Sequence, residues 1–229
     1  LVSRALDALR TGKRAIVLGG RCYPREVVAF NAFDRVIDQL VTAHPERVKQ
    51  VLGELAHEDV VAIAHIFPAL ASLVSILAEP ADALGVDARL NTRDRAFRGL
   101  RKLLSGLAAY GPVVLALDDV QWDDADSLAL AGALANTSSL QGVALVVSYR
   151  QADEAPPRFA SLLRRAVNDG SLRWEFAELA IGPLDSAMAT ALAASLIGSD
   201  SPDSERLARS IATITAGLPI GIVELAKLV

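Results

Sequence analysis

The sequence predicts an α/β protein: a buried parallel sheet flanked by helices, with a helical insertion and a C-terminal helical subdomain. Two apolar runs lead to this reading. Residues 113–117, Val-Val-Leu-Ala-Leu, follow the Gly111-Pro112 breaker, and residues 143–147, Val-Ala-Leu-Val-Val, follow Gly142. Branched and small apolar runs of this kind suit strands enclosed on both faces, where neither face carries charge. Both runs stop on polar residues, Asp118-Asp119 in one case and Ser148-Tyr149-Arg150 in the other. The remaining segments repeat apolar residues mostly at helical spacing, and a 229-residue chain that is 52% hydrophobic can bury a substantial core.

Taken in order, residues 1–10 form an amphipathic helix, and the turn around Gly12 leads into a short buried strand at 15–19. Gly12-Lys13 looks like a helix C-cap with basic residues complementing the dipole. From Pro24 to residue 43 the spacing of Val28, Phe33, Val36, Ile37 and Leu40 predicts one long helix, with the proline suited to its start. Residues 46–110 show only helical patterning and read as an all-helical insertion. After the 113–119 strand, Asp126-Ser127 can cap a helix running to about residue 135. The 143–150 strand follows and is expected to lie parallel beside the 113–117 strand. Ala155-Pro156-Pro157 breaks the chain, residues 159–167 read as a helix, and 174–179 alternate as a half-buried edge strand would. Gly182-Pro183 marks a boundary between a core at 1–183 and a helical subdomain at 184–229, with helices expected at 184–197, 205–215 and 220–229.

The balance of 23 basic and 27 acidic residues, a net charge of −4, gives no footprint for unspecific nucleic-acid binding. A single cysteine, Cys22, excludes an internal disulfide and a multi-cysteine zinc site, and the three histidines lie in no ligand register. Asp123, Asp124 and Asp126 lack the glycine and terminal glutamate of a calcium loop. The longest apolar stretch, 66–78, is interrupted by proline and serine and is too short to span a bilayer, and no signal peptide is visible. Cytoplasmic residence is the expectation.

An apolar strand ending on two carboxylates is the pattern of a Walker B strand. Ligands of open α/β sheets bind at the carboxyl ends of the strands, where one carboxylate can hold Mg²⁺ against a nucleotide and its neighbour can orient water. The same Asp-Asp pair also serves as a turn former and helix cap, so the strand alone leaves both readings open.

Five segments together resemble the signal-transduction ATPases with numerous domains, the STAND class of P-loop NTPases, and in particular the AAA-type modules of large bacterial kinases and transcriptional regulators. They are Gly20-Arg21-Cys22-Tyr23-Pro24-Arg25-Glu26, the run from Leu117 through Asp118-Asp119-Val120-Gln121-Trp122 to Ser127, Val147-Ser148-Tyr149-Arg150, Leu179 to Leu184, and Gly217-Leu218-Pro219. The resemblance implies a P-loop NTPase-like fold, ATP or ADP with Mg²⁺ as ligands, Asp118 on the metal and Asp119 polarising the attacking water. It implies Arg150 as a sensor of the γ-phosphate, Ser148 as a polar sensor beside it, and Pro219 as the residue of the helical lid that packs on adenine. On the residues alone, Arg150 could be a solvated strand-end cation, Ser148 could satisfy a backbone group, and Gly217 to Pro219 could be ordinary turn chemistry. The Arg21 to Glu26 segment has no role that its residues dictate. Trp122 is expected to wedge the Walker B loop onto neighbouring helices.

The Gly-x-x-x-x-Gly-Lys-Ser/Thr phosphate loop that partners a Walker B strand does not occur in these 229 residues. The chain reads as a fragment cut just after that loop, whose missing central first core strand would leave either a gap in the sheet or an exposed groove beside the Arg150 strand. Two functions then stand. One is an ATP-binding, slowly hydrolysing switch in a multidomain regulator, working on other domains of its polypeptide or through homo-oligomers, with ATPase activity in the parent and none in the fragment. The other is a degenerate, non-catalytic ATPase fold acting as a protein-interaction scaffold. In neither does this segment contact nucleic acid or membrane.

Overall fold

The computed structural model describes residues 2–12, 15–24, 29–73, 86–122, 124–136, 140–150, 157–171, 174–198 and 201–229, with the backbone alone for 86–91. The chain divides into two compact units, Leu1–Phe176 and Ala177–Val229.

The first unit is built on three parallel strands in the order β1-β2-β3: β1 Ile16–Arg21, β2 Val113–Asp118 and β3 Val143–Val147. The predicted α/β class with a parallel sheet flanked by helices is thus what the chain forms. The central strand is the most completely enclosed, with Val113 to Leu117 buried and only Asp118 exposed. Register sets Arg21 opposite Asp118 on one side and Leu117 opposite Val147 on the other. Beyond β3 the pairing continues for one residue, since the Ser148 N–H donates to the Leu117 carbonyl (2.9 Å) and the Ser148 carbonyl accepts from Val120 N–H (3.0 Å). Among the described residues no strand pairs with the far edge of β3.

α1 (Val2–Thr11) precedes β1, and α2 (Asn31–Ala43) packs on it through Ala32, Phe33, Val36, Ile37 and Leu40, all buried. The Gln39 amide covers the outer edge of β1 by bonding both the N–H and the carbonyl of Gly19, each at 2.9 Å. The predicted helical insertion is present as α3 (Pro45–Glu54), α4 (His57–Ile66), a single turn α5 (Pro68–Ala71) and α6 (Val86–Ala108). α4 and α6 meet where Gly99 faces Ile63, so closely that a Cβ at 99 would lie 2.6 Å from the Ile63 Cδ1. Beside that contact the buried Asp59 accepts from Lys102 (2.7 Å) and Arg98 (3.0 Å), and these bonds hold its carboxyl below the usual range although burial pushes the other way. Phe30 joins the insertion to the sheet layer, edge-on to both Phe67 and Phe97. α7 (Ala125–Ala135) and α8 (Arg158–Asn168) complete the unit.

Three expectations are corrected. The long helix predicted from Pro24 begins at Asn31, because Phe30 adopts the left-handed region (φ 62°) with its N–H bonded to Asp124 Oδ1; Val28 lies outside the described residues. The cap of α7 is Asp124, ahead of the expected Asp126-Ser127: its carboxylate accepts from the N–H groups of both. The half-buried edge strand expected at 174–179 is absent from the described residues, where Phe176 and Leu179 stand exposed without a ladder to justify their alternation.

The second unit consists of α9 (Ser186–Ile197), α10 (Pro202–Ile214) and α11 (Pro219–Ala226), packed around Ala189, Ala193, Ala208, Ile211, Ala212 and Ile222. Asp185 and Ser201 cap the first two helices. Gly217, at φ 73°, lies so close to the Leu184 backbone that a Cβ there would be 2.1 Å from the Leu184 carbonyl oxygen, and Pro219 occupies the first turn of α11. No described helix is long and apolar enough to cross a membrane.

Asp34, in the first turn of α2, yields a pH prediction. Burial first, then the neighbouring Asp38 and Asp124, raise its pKa from 3.8 to about 6. A carboxyl with a raised folded pKa stabilises the fold in its protonated form, so its contribution declines as pH rises from about 4 through about 6. Asp34→Asn is therefore expected to be more stable than the parent at pH 7 by about 1 kcal/mol, after discounting for partial exposure. Denaturant unfolding should show that advantage vanishing near pH 4, and an advantage independent of pH would contradict the assignment.

Candidate functional site

The carboxyl ends of the three strands bring together residues that are up to about 130 positions apart in sequence. Asp118 closes β2 with its side chain 59% exposed. Its Oδ1 accepts a hydrogen bond from the Ser148 hydroxyl, and its Oδ2 stands 3.9 Å from the Nε of Arg21. One oxygen is therefore engaged while the other faces a wet edge. That suits a Mg²⁺ ion, which keeps most of its waters and takes only one or two carboxylates from protein beside the phosphates of its ligand. No cluster of three or more acidic, histidine or cysteine side chains among the described residues forms an all-protein metal cage.

Asp119 is arranged differently. Its backbone is left-handed (φ 57°), a conformation Asp tolerates better than most residues, and the turn it makes delivers the chain into a short 3-10 helix, Val120–Trp122. Its side chain is only 16% exposed. Oδ2 receives two N–H bonds from the Arg21 guanidinium, Nε at 2.8 Å and Nη2 at 2.5 Å, and Oδ1 receives one from the Gln121 amide at 2.9 Å. The Gln121 bond, then the Arg21 bonds and the charges of Arg21 and Arg150, hold the Asp119 carboxyl below the usual carboxylate range against the opposing effect of partial burial. The resulting carboxylate is permanently ionised near neutral pH and tightly oriented.

Arg21 comes from the end of β1 and points along the register that sets it opposite Asp118. Its guanidinium also lies 5.7 Å from the Tyr23 ring centroid, and Arg35 of α2 approaches the same ring at 5.3 Å. Cys22 is buried, and its N–H donates to the Asp118 carbonyl, so the residue following Arg21 locks β1 to β2 at the site. Arg150 is exposed, and its backbone N–H donates to Gln121 Oε1 at 3.2 Å. The loop after β2 is fixed from beneath by Asp124: besides capping α7 it bonds the Phe30 N–H (3.1 Å) and the Ser127 hydroxyl (2.5 Å), and Ser127 Oγ in turn lies 3.3 Å from Ala32 N–H.

Of the residues singled out from sequence, Asp118, Asp119, Ser148 and Arg150 thus lie at one edge of the sheet. Pro219 belongs to the second unit. Trp122, expected to be a packing wedge, is 47% exposed; the 3-10 turn directs the loop outward while Val120 supplies the buried anchor. Arg25, Glu26 and Asp123 fall outside the described residues. Two side chains at the centre of the site, Arg21 and Gln121, had no role on sequence grounds; the position of Arg21 at a strand end was the only available signal.

Residues 1–147 match the AAA ATPase domain family. The chain belongs to that family. No curated protein and no solved structure matches it. The matched region ends with β3, so it includes the two carboxylates of β2 and stops immediately before Ser148. Membership makes the first unit a nucleotide-binding ATPase module, of a family that binds ATP or ADP with Mg²⁺. The exposed Asp118 and the ordered Asp119 lie at the carboxyl edge of its sheet, the edge at which open α/β sheets bind ligands.

Proposed function

We propose that this chain is the ATP-binding, slowly hydrolysing switch module of a multidomain bacterial signalling or transcription regulator of the STAND class. The observation that carries the reading is the division of labour at the end of β2: an open, half-exposed Asp118 suited to Mg²⁺, and beside it an Asp119 ionised and held in place. Phosphoryl transfer depends on positioning and on charge neutralisation more than on covalent protein chemistry, and this pair supplies both. Asp118 would hold Mg²⁺, which would supply charge neutralisation at the phosphates. Asp119 would orient water, and Arg150, with Ser148 beside it, would report the γ-phosphate.

The same geometry supports slow turnover. Both Asp119 oxygens already carry donors, and a carboxylate whose lone pairs are shared with a guanidinium is a weak base toward water. Hydrolysis then requires Arg21 to release Asp119 Oδ2 while Gln121 keeps the carboxylate oriented. In this reading 1–183 is the nucleotide core and 184–229 the lid that carries Pro219 to the adenine, so that ATP binding and hydrolysis alter the attached domains or an oligomer in the cytoplasm.

The phosphate grip of such a switch is a Gly-x-x-x-x-Gly-Lys-Ser/Thr loop. In a polypeptide that carries one, equilibrium binding should show ATP affinity that falls at least tenfold when Mg²⁺ is removed, with turnover below about 1 per second. A polypeptide without the loop, or without Mg²⁺-dependent binding, would instead support a non-catalytic interaction scaffold.

A further inference from the structure

We infer that Gln121 is a positioning residue that couples the end of β3 to the Asp119 carboxylate, so that displacement of the Arg150 segment is transmitted to the water-orienting acid. The inference rests on the role proposed for Asp119 and adds the route by which a sensor strand would act on it.

The geometry is specific. The Gln121 side chain makes two bonds, one to each side: Nε2 donates to Asp119 Oδ1 (2.9 Å), and Oε1 accepts from the Arg150 N–H (3.2 Å). Its orientation is fixed by chemistry, since a backbone N–H can only donate and an ionised carboxylate can only accept; a flipped amide would lose both bonds. The neighbouring backbone is pinned more firmly, with the Ser148 N–H held by Leu117 and the Ser148 carbonyl by Val120. Arg150 lies two residues beyond this anchorage, and its described backbone bond goes to a side chain. Asp119 is accordingly a junction: Oδ2 belongs to β1 through Arg21, and Oδ1 belongs to β3 through Gln121. An anion that draws the Arg150 side chain toward itself shifts the peptide to which Gln121 is bonded, and Gln121 must either carry Asp119 Oδ1 with it or release it. Glutamine is the suitable residue because it combines a donor and an acceptor at the required reach. Glu would set one carboxylate against another, and an apolar isostere would leave both partners unsatisfied.

The coupling can be read in this chain directly. Arg150→Ala removes the charge and keeps the N–H, whereas Arg150→Pro removes both. At one fixed pH, the ¹³Cγ resonance of Asp119 should move further in Arg150→Pro than in Arg150→Ala, and the difference should vanish in the Gln121→Met background. Equal shifts in the two variants, or a difference that survives Gln121→Met, overturn the coupling. In a polypeptide bearing the phosphate loop, Gln121→Met should lower kcat about tenfold at unchanged KM for ATP. Gln121→Glu, which retains only the acceptor, should lose at least as much. Unchanged kcat, or a loss confined to KM, overturns the positioning role. Asp119→Asn separates the two levels. If it is inactive while Gln121→Met is unimpaired, the site reading stands and this inference falls; if it turns over normally, the role assigned to Asp119 is itself wrong.

Discussion

Gly20→Ala is expected to lose about 3 kcal/mol of stability or more, with a fall in Tm of about 10 °C. The position is a close approach between β1 and the first turn of α2. A Cβ there would lie 2.1 Å from the Ala32 carbonyl oxygen, 3.2 Å from its carbon and 3.3 Å from Val36 Cγ2. A flexible side chain could swing away, but the nearest atom is backbone. Ala32 is also held on its other side, where its N–H approaches the buried Ser127 hydroxyl. Relief therefore requires α2 to lift from the sheet, opening the layer formed by Phe33, Val36 and Ile37. The disturbance reaches the site too, because Arg21 is the next residue and its two bonds to Asp119 depend on where β1 ends. Thermal unfolding of the variant would test this; a Tm within about 2 °C of the parent would mean that the two elements are further apart than described.

That glycine illustrates where the sequence was informative and where it was not. The run at 113–117 announced a buried strand because enclosure on two faces permits only apolar side chains; the run at 143–147 announced a strand too, but β3 is not the enclosed strand expected, with Ala144 exposed and the others half-buried, although its parallel pairing with β2 followed. The helical insertion was equally legible from its periodicity. Gly20 was not, since nothing local says which helix will press on a strand. Phe30 shows the same limit: its apolar side chain fits the periodicity of the helix predicted from Pro24, yet tertiary bonds and ring contacts put it in a left-handed turn that starts the helix later. At 124–127 several capping residues stood in a row, and only the backbone conformation distinguished Asp124 from Asp126 and Ser127. The 174–179 alternation misled because period two indicates a strand only when another strand is available to pair with it.

The site divides along similar lines. Asp118 and Asp119 were visible as a pair at a strand end, but which oxygen is free and which is bound depends on partners far away in sequence. Arg21 reaches Asp119 across 98 positions, and the β1–β2 register that aligns them cannot be read from either strand alone. Gln121 is only two residues from Asp119, yet its significance comes from Arg150, which a separate strand delivers. Local pattern thus located the acids, whereas their unequal environments, on which separate roles depend, emerged from long-range packing.

Those unequal environments make the two acids separable by mutation. In a polypeptide with a phosphate loop, Asp119→Asn should keep ATP and lose hydrolysis by at least about 100-fold, in line with the removal of an acid or base from a reacting proton. Asn preserves the size of Asp and can still accept from Arg21 or Gln121, so the loop should hold its shape. It lacks the negative charge that polarises water and balances the guanidinium. Asp118→Ala should act earlier, weakening Mg²⁺-dependent ATP binding by about tenfold or more as the ion loses its protein oxygen and the Ser148 hydroxyl loses its acceptor. Nucleotide binding measured with and without Mg²⁺, beside single-turnover hydrolysis, separates the two effects. If Asp119→Asn bound and hydrolysed ATP at the parental rate, Asp119 would be a turn-forming acid, its bonds to Arg21 and Gln121 serving only to fasten three strand ends together. If Asp118→Ala bound Mg²⁺-ATP as tightly as the parent, the exposed carboxylate at the end of β2 would have no part in holding the metal.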